Sequence, residues 1–476
     1  MPTVEVDVPV RYSRAAIIAA WGYAALVAAV LGYFLIGLPI QVSDSFGNML
    51  KLAVSWRDLM VGEFTQRAYL RPFLWAELKL VYDLAGGNYF AWYRGTHVVQ
   101  IAVLLGLFVH LVRPRTWTDA AVLPLGLAVL VGMHTFAGTI REAFPINTFL
   151  TILICCFATA ALSLARYRWW NDVLALLIFG IAALTVESGL LIGVIVVGLA
   201  LTGARGVSWR GVALVVAAGL GYFVLRFALL DIGSPGLSER ATGFGFTVLE
   251  PAQLGERFGS NPVPLYAYNI ASSLLTVLFS EPRGGVFRFV WGMVYKYEPA
   301  IMLNVVSSAV ATATIVWFAW RRRRAWFGRS FDREDRLVLL FLMILLANAV
   351  ISYPYTKDSI VSPAGAFYAL AVYVAVRHLV LAAGSWVSIR GVVTALCCLI
   401  LSVTWAVRYT GQHAILRHDA FVVRTEWAYI DQWLKRQNII LSPRERALQR
   451  QLRNDALIWH PVPPAFPIQS RWFDLD

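Results

Sequence analysis

The sequence predicts an all-α polytopic membrane protein, with about eleven transmembrane helices joined by loops that carry amphipathic surface helices. Three observations carry this. Of 476 residues, 59% are hydrophobic and only 14% charged, where a soluble domain has about 25% charged. Mean hydropathy is +0.64, and apolar runs of spanning length recur along the chain. Basic residues flank those runs in a pattern that a single orientation satisfies.

The expected spans are residues 15–38, 96–112, 119–137, 146–165, 172–187, 188–204, 211–230, 297–320, 336–353, 361–380 and 391–409. With these spans Arg11/Arg14, Arg113/Arg115, Arg166/Arg168, Arg205/Arg210, Arg321 to Arg324 and Arg377/Arg390 all face the cytoplasm. The N-terminus is then inside and the C-terminus outside, as in a protein of the bacterial inner membrane. Arg11 and Arg14 precede a 24-residue apolar run without a small-residue cleavage site, so that run is expected to be a retained first span. Residues 263–281 are nearly long enough to cross. Crossing there would put the four-arginine run outside, so the segment is expected to be an external surface or re-entrant helix.

The membrane domain is thus 1–409, with two large external loops, 39–95 and 231–296, and a small external tail, 410–476. In the first loop Phe46, Met49, Leu50, Ala53 and Val54 recur at helical spacing. That describes a short helix in the interface with its apolar side towards lipid. Asp44 stands at its start, just past the first span. A second amphipathic piece has Leu74, Leu78, Val81 and Ala85 in register, and a third, in the tail, has Val423, Trp427, Ile430 and Leu434. The tail reads as a lid or docking piece. The 231–296 loop opens on Gly/Pro/Ser-rich chain.

The net charge of +13 fits topology and lipid headgroups, and calls for no nucleic-acid partner. The four cysteines form two adjacent pairs inside apolar runs, Cys155–Cys156 and Cys397–Cys398, and read as small apolar filler. No phosphate-binding glycine loop supports a nucleotide site, and no metal-type spacing occurs; no cofactor is expected.

Polar residues gather at the outer edge. Lys51, Arg57, Arg67, Arg71, Lys79 and Arg94 lie in the first external loop, against the usual charge bias. Singly each suits a solvated surface; as a group they suit an anionic ligand such as a lipid phosphate. Glu187, between two apolar runs, is either a functional carboxylate or a cap on the following helix. His134, with Arg141 and Glu142, falls in an outer turn. His97 falls at the outer start of the second span. For each histidine the simpler reading is a satisfied hydrogen bond. Arg226, one turn from an outer helix end, either snorkels or reaches a phosphate. Tyr353, Tyr355 and Lys357 make a further outer turn.

This order of features resembles the GT-C superfamily of membrane glycosyltransferases that use polyprenyl-phosphate sugars, as the protein O-mannosyltransferases and the lipid A aminoarabinose transferase do. Asp44 falls where that family has its acidic motif; Ser45 stands where a second carboxylate is usual. Tyr69-Leu70-Arg71-Pro72-Phe73, Gly86-Gly87-Asn88-Tyr89 and Tyr93-Arg94-Gly95-Thr96-His97 are similar to the segments that follow. His134 and Arg141-Glu142 echo a His-bearing turn. Val186-Glu187-Ser188-Gly189 echoes a Lys-Glu-Ser-Gly element without its lysine, and Tyr222 to Arg226 a Tyr-x-x-x-Arg. Tyr355 and Lys357 echo a late external Tyr and cation that meet the lipid phosphate. The likeness covers the first half by motif order and the second half by layout.

The resemblance implies an inverting sugar transfer to an acceptor hydroxyl at the outer face, with Asp44 as catalytic base. Arg71, Arg94, His97, His134, Glu187, Arg226, Tyr355 and Lys357 would line the substrate site. Arg71, Arg226 and Lys357 are the candidates to meet the leaving phosphate. The acceptor is a glycolipid, a polysaccharide or a protein. One Asp without a neighbouring carboxylate argues against a metal. The competing class is a lipid-linked glycan transporter, which calls for ionisable residues in mid-span; the span centres here are almost purely apolar.

Overall fold

The computed structural model describes residues 12–40, 43–65, 69–141, 144–231, 241–242, 248–259, 261, 263–279, 285–295, 299–355, 357–384, 388–436 and 438–458. Among them the chain is helical apart from one pair of antiparallel two-residue strands, β1 (Ala241–Thr242) and β2 (Val248–Leu249).

From α1 (Arg14–Ile36) the chain passes through α2 (Ser43–Leu52), α3 (Trp56–Thr65) and α4 (Pro72–Ala85) to α5 (Tyr89–Val112). Next come α6 (Trp117–Gly132), α7 (His134–Arg141), α8 (Thr148–Ser163), α9 (Trp169–Ala183), α10 (Leu191–Leu201) and α11 (Trp209–Phe223). The second half holds α12 (Pro251–Phe258), α13 (Val263–Phe279), α14 (Gly285–Val294), α15 (Pro299–Phe327), α16 (Arg333–Ile351) and α17 (Ser362–Ala383). It ends with α18 (Ile389–Arg424), α19 (Ile430–Arg436) and α20 (Pro443–Ile458).

Six of these helices are long and apolar enough to cross a membrane, or eight if each of two bent pairs is one span. The pairs are α6 with α7, bent by 57°, and α12 with α13, bent by 103°. Such a set of long apolar helices is that of a polytopic membrane protein. It falls short of the expected eleven because α8 and α9, and α10 with the short turn before it, are shorter than a full crossing, and because α16 carries a charged first turn, Arg333 to Arg336. Two boundaries also move. The expected span 119–137 breaks at Met133, and the last helix runs on to Arg424 instead of ending at residue 409. Residues 263–279 run alongside α15, α16 and α17. Asn269 Nδ2 donates to Tyr353 O (2.9 Å) just past the end of α16, while Thr312 Oγ1, midway along α15, donates to Leu278 O (2.7 Å).

The bundle has two unlike ends. At one, Ser13 N donates to Arg115 O (3.0 Å), Arg333 reaches Leu111 O and Leu164 O, and Arg336 reaches Thr202 O. These bonds tie together the helix ends beside the basic clusters that the sequence assigns to the cytoplasm. Arg377 bridges Asp119 and Glu334, and Arg322 pairs with Asp332 and Asp335. The opposite end carries α2, α3, α4 and the tail helices.

That opposite end corrects one expectation. Phe46, Met49 and Leu52 of α2 and the adjoining Ala53 are buried, and they face protein instead of lipid, while Val54 is exposed. They share one apolar cluster with Leu74, Leu78 and Tyr82 of α4, Trp427, Ile430 and Leu434 of the tail, and Leu448 and Leu452 of α20. The three amphipathic stripes cover one another. Hydrophobic period reports that a face is buried; it cannot distinguish lipid from protein as the cover. Each large side chain so covered contributes about 2 kcal/mol. Trp427 Nε1 donates to Ile40 O (3.1 Å), which fastens the tail to the loop leading into α2.

Candidate functional site

Arg94 stands on α5 where the helix faces the loop after α1. It is buried, its Nη2 donates to Leu38 O (3.0 Å), and its guanidinium lies over the rings of Phe90 and Phe144. Ser45 Oγ donates to Phe144 O (2.6 Å). Leu38, Pro39, Ser45, Arg94, Arg141 and Phe144 wall a cavity of about 10 Å³, the threshold size for one water. Asp44 precedes Ser45 in α2, next in sequence to a residue that walls this cavity; its side chain is not described. His97 follows Arg94 on the same face of α5 and is fully buried.

A second group is built around Glu187. Its Oε2 lies 3.0 Å from Arg71 Nη2 and its Oε1 2.9 Å from Arg226 Nη1. Arg226 Nη1 also donates to Tyr222 OH (3.0 Å). Local sequence explains each position. Pro72 opens α4, and Phe73 N donates to Leu184 O (3.1 Å), which brings Arg71 to the end of α9. Glu187 begins a 3₁₀ turn, Glu187–Leu190, that packs on α9 so tightly that a Cβ on Gly189 would meet Ala182 C and O at 2.1 Å. Only glycine permits that approach. Arg226 sits in a π-helical turn, Val224–Leu229, which continues α11 and re-aims its side chains. Glu187 stands in the first turn of its own short helix, where a carboxylate is favoured, and it also bridges the two arginines. Arg71 Nε is buried without a hydrogen-bond partner. An anion is the natural further partner for such a group.

The third group lies where α7 meets α18. His134 is the first residue of α7 and is buried, not in an exposed turn; its Nε2 is 3.7 Å from Asp358 Oδ1, too long for a hydrogen bond. Arg408 Nη1 donates to Asn304 O (3.0 Å) and to Ser307 Oγ and Ser308 Oγ (2.7 Å each). Lys357, next to Asp358, is exposed, and Tyr355 is half-buried. The structure therefore joins Arg71, Glu187 and Arg226 into one unit, sets Arg94 beside the Asp44 turn, and puts His134 with the segment that carries Tyr355 and Lys357. Glu142 and Arg67 lie outside the described residues.

Sequence reasoning missed two groups. Glu77 on α4 takes hydrogen bonds from Asn147 Nδ2 (2.6 Å), Gln100 Nε2 (3.1 Å) and Thr151 Oγ1 (3.3 Å). Burial pushes its carboxyl above the usual range, and those three bonds pull partly back. The available signal was a lone carboxylate four residues from Phe73, on the face of α4 turned to the bundle. The other is Arg424, at the end of α18, whose position follows from a helix the sequence did not extend so far. Among the described residues no cluster of three or more His, Cys, Asp or Glu side chains that could hold a metal is found. The described cysteines are free thiols. No family model, curated protein or solved structure matches the chain.

Proposed function

We propose that the chain is an inverting glycosyltransferase of the GT-C type. It moves a sugar from a polyprenyl-phosphate donor to an acceptor hydroxyl at the outer face of a bacterial inner membrane. The observation that supports this reading is the Arg71–Glu187–Arg226 unit, two guanidinium groups held on one carboxylate, at the same end as the Asp44 helix and opposite the paired basic end. Asp44 accepts the acceptor's hydroxyl proton while that oxygen bonds to the anomeric carbon. The bond from the anomeric carbon to the phosphate oxygen breaks, and the electron pair leaves with the polyprenyl phosphate. Fixed guanidinium groups favour that step because negative charge grows on the phosphate in the transition state. Glu187 holds Arg71 and Arg226 in place and keeps their mutual repulsion from spreading them.

In this reading the chain crosses eleven times. The shorter apolar helices α8 and α9 cross, α10 crosses with the short turn before it, and α13 is a re-entrant arm. The N-terminus and the arginine-bracketed end are cytoplasmic. The tail docks over the Asp44 turn as part of the site.

The test uses the full chain in proteoliposomes with a short-chain polyprenyl-phosphate sugar and a panel of glycolipid, glycan and peptide acceptors. Transfer of label that Asp44→Asn abolishes supports the proposal. Transfer unaffected by Asp44→Asn rejects the base. Movement of labelled donor across the bilayer without transfer identifies a transporter.

A further inference from the structure

We infer that Arg424 is an anion-binding residue, and that the anion is a phosphate group held between the end of α18 and the loop that leads into α2. Arg424 is fully buried, and none of its three guanidinium nitrogens has a hydrogen-bond partner. Five N–H donors are therefore out of water and unused. A guanidinium cannot shed its charge at any working pH, so burial of this kind carries a heavy penalty unless something answers it. Two contacts offset part of that penalty. The Phe421 ring lies 5.0 Å from the guanidinium carbon, and the residue sits at a helix C-terminus, where cations are favoured. Neither satisfies a donor. The other buried arginines have acceptors: Arg94 bonds Leu38 O, Arg226 bonds Glu187, and Arg408 bonds Asn304, Ser307 and Ser308.

The surroundings select the ligand. Along α18, His413 packs on Phe34 of α1 (ring centroids 4.7 Å), and beyond Arg424 the Trp427 indole binds Ile40 O. Arg424 therefore stands at the level of segment 38–40, the segment whose Leu38 carbonyl holds Arg94 and which walls the polar cavity with Ser45 and Arg141. Arg94 comes to this level from α5 and Arg424 from α18, with the buried carboxylate of Glu426 two residues beyond Arg424. A planar fork with unused parallel N–H groups matches a tetrahedral oxyanion in bidentate fashion, and phosphate is the oxyanion a membrane supplies. The phosphate site stands on the geometry alone; its assignment to an isoprenoid phosphate rests on the transferase reading.

The experiment measures binding directly, with no turnover, so its failure is distinct from failure of the transferase reading. Full-length protein in detergent is titrated with three probes: inorganic phosphate, a short-chain prenyl phosphate, and phosphatidylglycerol in mixed micelles. Affinity and ligand-induced thermal shift are both read. A ligand that binds the folded state raises the melting temperature with concentration. Expected is a shift with prenyl phosphate that Arg424→Gln reduces about tenfold or more in affinity, with partial retention in Arg424→Lys. The ligand-free melting temperature of Arg424→Gln stays unchanged or rises, because an unanswered charge has gone. An Arg424-dependent response to inorganic phosphate or to phosphatidylglycerol keeps the site and renames its source. Should Arg424→Gln fail to fold, the lysine variant decides, since it keeps the charge and loses the fork. No thermal shift in the wild type with any probe, or equal affinities in wild type and variant, overturns the inference.

Discussion

The two ends of the bundle handle charge in opposite ways. At the basic end each buried charge closes on a partner. Asp119, only 2% exposed, caps α6 through the Arg115 and Thr116 amides and pairs with Arg377, which also holds Glu334. Asp335 takes Arg322 and the Trp326 indole, and Asp172 takes Ser208. At the other end some buried charges close, Glu63 on Lys51 and Lys79 on Asp83, but others do not. Glu187 answers two arginines, His134 has both ring nitrogens without hydrogen bonds, and Arg424 has the Phe421 ring but no hydrogen-bond partner. A closed network fixes helix ends to one another; an open one stores affinity for something that arrives. The same residue types thus form closed networks at one end and partly open ones at the other, and the difference lies in stoichiometry, not composition.

The sharpest test of that contrast is Asp44→Asn. If the open end is catalytic, turnover falls by about 10²–10⁴-fold, the range general-base catalysis contributes, with the melting temperature unchanged. Next is Asp119→Ala at the closed end. It strands Arg377 and should cost about 3 kcal/mol of stability, read by thermal melting, while the donor KM of the surviving folded protein stays at the wild-type value. If that KM changes instead, the two ends are coupled and the contrast fails.

Glu187→Gln should act in the reverse sense. It removes the charge that restrains Arg71 and Arg226, at about 2 kcal/mol, and shows chiefly as altered donor KM. An unchanged KM with lowered stability would move Glu187 into the architectural class. The smallest effect belongs to Glu77. Its folded carboxyl keeps its proton to higher pH than the ordinary value of 4.5. Its contribution to stability is therefore full below that pH and declines as pH rises through the folded pKa. Glu77→Gln should flatten the melting temperature against pH over that interval. A curve that keeps its wild-type slope removes Glu77 from the account.

Much of the fold was legible because the bilayer imposes long apolar runs and brackets them with arginine. The first span and the helical periods of α2 and α4 appear as read, though what covers the α2 stripe does not. Boundaries were less legible: α5 starts at Tyr89, not residue 96, because Tyr93 and Arg94 are helical and buried despite their polarity. In the site, Arg71, Glu187 and Arg226 were each picked out singly. Their meeting was not readable, because Arg71 and Glu187 are 116 residues apart and are joined by a backbone bond from Phe73 to Leu184. Glu77 escaped because its donors come from α5 and the start of α8.

By itself, then, the sequence determined which segments leave water, which end gathers arginine and which faces must be covered, since hydropathy and period are local properties. Only the tertiary structure decided what covers those faces and which charges find partners. The α2 stripe faces the tail rather than lipid, Glu187 bridges two arginines, and Arg424 is buried with its donors unused. Pairing depends on which distant helix ends arrive together, and no local pattern encodes that.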